Sequence, residues 1–152
     1  MSKPKEETIN GKVTHFSVGA IIKNDKGEYL LIDRLKPPFG FACPAGHIDE
    51  GELPHRSVIR EVEEETGLKV DSLKYLNKYD YRCYDDVPNE TCSRGVSVHN
   101  WALYEVTVLS YDDIILKEDE VKSIGWYSPE QIQGLQLETV WNHFFKKLGI
   151  IK

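Results

Sequence analysis

Apolar and polar residues change rhythm several times along the chain, and each change marks an element. From Val13 to Ile22 the run VTHFSVGAII predicts a strand, Asn24-Asp25-Lys26-Gly27 a turn, and Tyr29 to Arg34 the hairpin partner. Leu35 to Pro44 reads as a loop or short strand. Over Pro54 to Thr66 the rhythm becomes helical, with Val58, Ile59 and Val62 on one arc, Pro54 suited to the first turn and Gly67 to the position just past the end. Val70 to Tyr81 and Gly95 to Leu109 read as strands around a polar loop, Asp85 to Arg94. After an acidic loop, Tyr111 to Glu120, come a short strand at Ile124 to Tyr127, a short helix from Ser128-Pro129-Glu130 through Gln133, and an amphipathic helix over Leu137 to Leu148. Residues 1–11 are polar and read as a flexible lead to a single domain, 12–152. Strands interrupted by one helix and closed by others predict an α/β fold, a mixed sheet covered on its two faces.

The helix over Pro54 to Thr66 carries the most informative chemistry. At about 100° per residue, Glu61, Glu64 and Glu65 share an arc of roughly 100°, beside the arc of Val58, Ile59 and Val62. Glu63 points the opposite way and reads as a surface residue. Three carboxylates on one face repel, which raises their pKa values unless something positive lies among them, and Arg60 cannot neutralise all three. A divalent cation is the missing charge. Oxygen donors without Cys or His favour Mg²⁺ or Mn²⁺ over zinc. Arg60 can pair with Glu64 at i,i+4 and hold its orientation. Glu52, at or before the helix start, either adds a ligand contact or braces Arg60.

The stretch GHIDEGELPHRSVIREVEEETGL, Gly46 to Leu68, fits the pattern G-x5-E-x7-R-E-U-x-E-E-x-G-U at every position, through Gly46, Glu52, Arg60, Glu61, Val62, Glu64, Glu65, Gly67 and Leu68. It resembles the Nudix box, and the chain is identified by it as a member of the Nudix hydrolase family, MutT-like in kind. The resemblance implies an α/β/α sandwich with a mixed β-sheet. It also implies metal-assisted attack of water on phosphorus, cleaving the pyrophosphate bond of a nucleoside diphosphate linked to another moiety. Substrates of that kind include nucleoside triphosphates, dinucleoside polyphosphates and ADP-ribose. By the same resemblance Glu61, Glu64 and Glu65 hold the metal, joined by the backbone carbonyl of Ala45 or Gly46. The general base is a box glutamate or a glutamate of the later loop, Glu120 first and Glu118 second. Outside the box, Phe39, Phe41, Tyr84 and Trp126 are candidates for stacking on a base. A Nudix-fold nucleotide-binding module without catalysis, or a hydrolase of a non-nucleoside diphosphate, is the alternative.

Composition narrows the setting. The chain has 152 residues, 40% hydrophobic and 29% charged, as expected for one globular domain with a real core. No apolar run approaches a membrane span, and the start MSKPKEETIN lacks a signal-peptide core, so the expected compartment is the cytoplasm. Cys43, Cys83 and Cys92 are odd in number and read as reduced thiols; Cys83, Cys92 and His99 make a poor zinc site because no fourth ligand is evident. A net charge of −6 argues against a general nucleic-acid surface and leaves room for a small phosphorylated substrate bound through a metal. A homodimer is compatible with everything above. His15, His55, His99 and His143 form no recognisable catalytic constellation and read as structural or exposed.

Overall fold

The structure of the protein, a computed structural model, describes residues 3–36, 39–82, 96 and 98–152, and the side chains of all of these but 77–82. The elements in chain order are β1 (Glu6–Ile9), β2 (Lys12–Ile22), β3 (Tyr29–Arg34), β4 (Gly40–Ala42), β5 (Ala45–His47), α1 (Pro54–Thr66), β6 (Val70–Arg82), β7 (Val98–Val108), β8 (Val121–Tyr127), α2 (Pro129–Gln133) and α3 (Thr139–Lys147).

The strands make two sheets. In the larger, β1, β2, β7 and β6 lie side by side and β5 also pairs with β2; in the smaller the order is β4, β3, β8. β2 runs parallel to β7, with His15 opposite His99 and Gly19 opposite Leu103, and antiparallel to β1 and β5. The expected mixed sheet is therefore the larger of two, while the smaller is antiparallel throughout. β7 runs along one edge of β2, and β1 on Lys12 to His15 and β5 on Ser17 to Gly19 share the other. Thr14 to Ile22 is buried without a break, which is why its sequence does not alternate.

Successive residues of β2 enter different cores, as the strand period of two requires. Phe16, Val18, Ala20 and Ile22 pack with Val58 and Val62 of α1. Ile21 packs with Trp101, Leu103 and the α3 residues Trp141, Phe144 and Phe145. Gly19 lies on that second side with no room for a side chain: a Cβ there would sit 2.6 Å from Trp141 Cη2. The result is a sandwich of α1, sheets and α3. Among the described residues no helix is long and apolar enough to cross a membrane.

The polar lead is a correction. Residues 6–9 form β1 on β2, and ahead of them the Lys5 N–H donates to Ile48 O at 2.7 Å and the Glu50 N–H to Lys3 O at 2.7 Å. Asn10 and Gly11 both have positive φ, 52° and 77°, the conformation of a two-residue hairpin turn. Asn-Gly is the strongest short-range signal for such a turn, and it is present in the sequence. The polarity of β1 reflects its place at an edge, where all four residues are exposed.

Candidate active site

α1 begins without a side-chain cap, at Leu53, followed by Pro54, and ends where Gly67 turns left-handed at φ 75° and donates its N–H to Glu63 O. Its buried residues are Ser57, Val58, Val62 and Thr66. Around the helix, Glu61 and Glu65 fall between Ser57 and Val58. The acidic residues thus do not form a separate stripe beside the packed one; two of them belong to the packed face. Glu61 keeps only 14% of its side chain exposed, whereas Glu64 keeps 54%. Glu63 points outward and pairs with Lys69 at 3.4 Å.

Burial controls the acidity of this pair. The Glu61 carboxyl is pushed up to about 7, chiefly by desolvation, against the pull of Arg60 and with help from the charges of Glu64 and Asp49. Glu65 is pushed up to about 8, again first by burial and then by Glu61; the Ala45 N–H and Arg34 work against this, and Glu120 with it. Such carboxyls ionise fully at neutral pH only when a cation joins them.

Arg60 does not neutralise the set, because most of its donors are committed elsewhere and only Nη1 reaches these carboxylates. Its Nε donates to Glu52 Oε2 at 2.9 Å and Nη2 to Glu52 Oε1 at 2.9 Å, a two-pronged pair. Nη2 also donates to the His47 carbonyl at 3.0 Å, and Nη1 reaches Glu61 at 2.7 Å and Glu64 at 3.3 Å. Glu52 additionally accepts from the Ser57 hydroxyl and the Asp49 N–H. Hydrogen bonds from Arg60, before any other influence, hold the Glu52 carboxyl down at about 2. Of the two roles left open for Glu52, the geometry favours the brace, since both its oxygens are occupied. Arg60 in turn links α1 to β5 and orients Glu61.

β5 supplies the opposite wall. The Ala45 N–H donates to Glu65 Oε1 at 2.7 Å. At Gly46 a Cβ would lie 2.2 Å from Glu61 Cδ, so only glycine lets this carboxyl rest on the backbone. Two partly buried, under-neutralised carboxylates, a third at the rim and an adjacent strand backbone are the donor set that a hard divalent cation takes. The residues present fit Mg²⁺ or Mn²⁺: Glu61, Glu64 and Glu65 as carboxylates, with a carbonyl of Ala45 or Gly46.

The other expected site residues are dispersed. Glu120 is exposed, close enough to Glu65 to raise its pKa, and its carbonyl accepts from the Leu35 N–H at 3.2 Å. Phe39 is 62% exposed. Phe41 instead packs edge-on against Tyr127, centroids 5.5 Å apart, at the α3 core, and Trp126 packs against Tyr111 and donates its indole N–H to Tyr111 O at 3.3 Å. Both rings are partly buried, Phe41 packed against the α3 core and Trp126 against the α1 core. Tyr84, Cys83 and Cys92 lie outside the described residues.

Three contributors escaped the sequence reading. Asp49, 3.4 Å from Arg60, sits inside the box at a position the pattern leaves free. Arg34 ends β3 within the field of Glu65. His47 offers its carbonyl to Arg60, and its ring stacks on His99 at 5.5 Å and meets His15 edge-on at 5.0 Å. His15 and His99 are thus structural neighbours of a third histidine, a grouping visible only once β2, β5 and β7 are in register.

The NUDIX domain profile matches residues 13–147. The chain belongs to the Nudix family. Its similarity to an isopentenyl-diphosphate Δ-isomerase of Corynebacterium diphtheriae is 30% identity over 129 residues, 78% of this chain and 66% of that protein. To an NAD-capped RNA hydrolase of Macaca fascicularis it is 29% over 121 residues, 78% of this chain and 23% of that one. The chain therefore spans less than two thirds of these relatives' lengths. The Nudix domain of Shewanella oneidensis NrtR, solved in complex with ADP-ribose, shares the fold at a TM-score of 0.68 and 20% identity, covering 88% of this chain and 84% of that one. Within this Nudix domain Glu61 lies against Gly46 and Glu65 accepts from the Ala45 N–H, which joins α1 to β5.

Proposed function

We propose that the protein is a metal-dependent hydrolase that cleaves the pyrophosphate bond of a nucleoside diphosphate linked to another moiety. The observation that carries this reading is the pair of partly buried carboxyls, Glu61 and Glu65, raised to about 7 and 8 and set against Gly46 and the Ala45 N–H of β5. A bound Mg²⁺ or Mn²⁺ supplies neutralisation of phosphate oxygens and a lower pKa for water. The chain's own residues do the rest. Glu61 and Glu65 are fixed by Arg60 and the Ala45 N–H, while the exposed Glu64 faces incoming substrate. A glutamate, Glu120 or one of the box, takes the proton from water as its oxygen bonds to phosphorus and the bridging P–O bond breaks. Phe39, exposed just before β4, is the aromatic offered for stacking on a base.

The substrate class rests on a shared chemistry: a nucleotide-capped RNA and isopentenyl diphosphate, named for the two relatives, both contain a diphosphate. Nucleoside triphosphates, ADP-ribose, dinucleoside polyphosphates, NADH and nucleotide sugars should be assayed with Mg²⁺ and with Mn²⁺. Glu64→Gln and Glu65→Gln should each abolish phosphate or nucleotide release while the melting temperature stays close to wild type. Turnover retained in both variants would remove the assignment.

A further inference from the structure

Three of the chain's five histidines converge at one place away from the carboxylates. His15 comes from β2, His99 from the register position beside it on β7, and His47 from β5, whose partner on β2 is Ser17. One ring nitrogen from each lies within 4.8 Å of the others. His15 and His99 are buried, 1% and 6% exposed, and His47 is half-buried. We propose that His15, His47 and His99 form a second metal site, for a divalent transition ion of the zinc class, distinct from the glutamate site for Mg²⁺ or Mn²⁺.

The donor type argues for that ion class. Three imidazoles suit Zn²⁺, Co²⁺ or Ni²⁺, whereas Mg²⁺ prefers oxygen. Metal–nitrogen distances of about 2.0–2.1 Å need donor atoms about 3.4 Å apart, so the rings must close by at most about 1.4 Å, a side-chain adjustment. A carboxylate already stands behind one ring: Glu6 Oε2 is 2.9 Å from His15 Nε2. Such an outer carboxylate fixes the tautomer and raises the basicity of a ligating histidine. A cavity of about 750 Å³ lined by Glu6, His15 and Glu50 among others borders the His15 side of the group. Bound there, the ion would tie β2, β5 and β7 together, one residue along β5 from Gly46.

The test uses the full chain without a histidine tag, stripped of metal and then held in excess Mg²⁺ so that the glutamate site is filled. Titration with Zn²⁺ should show one tight equivalent and shift the imidazole C–H resonances of His15, His47 and His99, leaving those of His55 and His143 in place. His47→Gln and His99→Gln should each weaken binding at least ~100-fold, and Glu6→Gln, on an exposed strand, by ~10–100-fold. The double variant Glu64→Gln with Glu65→Gln should bind Zn²⁺ as wild type does. The proposal is overturned if Zn²⁺ leaves the three resonances of the folded wild type unmoved, a result that holds even where a histidine variant does not fold. Binding lost in the glutamate variant but kept in the histidine variants overturns it too.

Discussion

Residue by residue, the site is governed by how little space Glu61 has. Its carboxyl rests where a Cβ on Gly46 would be, so Gly46→Ala must displace it. The expected outcome is a loss of kcat/KM of about 100-fold, the scale of a misplacement near 1 Å, with a much smaller change in the melting temperature. Steady-state kinetics beside calorimetry on the same variant would check this. The identities of Glu61, Glu64 and Glu65 were legible in the sequence because their spacing puts them on one arc. Their burial was not. Which arc of a helix faces the interior depends on what the chain lays over it, and here β5 and Arg60 cover the acidic arc together with Ser57 and Val58. The role of Glu52 was open for the same reason: Arg60 lies eight residues away, and only the approach of α1 to the preceding turn brings them into a two-pronged pair.

At the scale of elements, α1 is held more firmly at its end than at its start. Gly67 adopts φ 75° and closes against Ile115, whose Cδ1 would be 2.9 Å from any Cβ placed there. Gly67→Ala should destabilise the fold by about 1–2 kcal/mol from the left-handed conformation, with the contact adding to it, measured by urea denaturation. The start behaves oppositely. Leu53 occupies the cap position, 58% exposed and without a capping bond. Leu53→Ser should raise stability by about 0.5–2 kcal/mol without affecting turnover. The helix limits were legible because Pro54 and Gly67 are local signals. β1 was equally local, through Asn10-Gly11, but its polarity hid it. β5, only three residues long, offers no periodicity to read, and β8 begins at Val121 rather than Ile124 because pairing continues to Asp33 and Arg34 across a register shift that leaves out Lys122.

For the molecule as a whole, proton uptake should report on the Glu61–Glu65 carboxylate pair. Both Glu61 and Glu65 have folded pKa values raised above the ordinary 4.5, to about 7 and 8. A carboxyl raised on folding contributes stability that is full below its unfolded pKa and is lost as pH rises through the folded value. In EDTA the melting temperature should therefore fall from pH 5 to pH 8. In excess Mg²⁺ that fall should flatten, because the cation stabilises the ionised form. Glu52, lowered to about 2, acts with the opposite sign: its contribution is complete above about 4.5 and is lost only toward pH 2, outside that window. Scanning calorimetry at pH 5, 6.5 and 8 with and without Mg²⁺ decides it, and parallel curves would count against the cation. The layering of helix, sheet and helix was legible from element order. The division into two sheets and the parallel neighbours β2 and β7 were not, since strand partners far apart in sequence leave no mark in the local pattern.

The shortness of β5 carries a consequence for how this chain tolerates changes in length. Ala45 meets Glu65 through its N–H, Gly46 meets Glu61, and His47 meets Arg60 through its carbonyl, all within three consecutive residues. Inserting or deleting one residue would shift this register and hand each contact to the wrong neighbour. Extra residues belong instead at the Asn24–Gly27 turn, where Gly27 has open space around it; between Pro44 and Ile48 the chain has no slack.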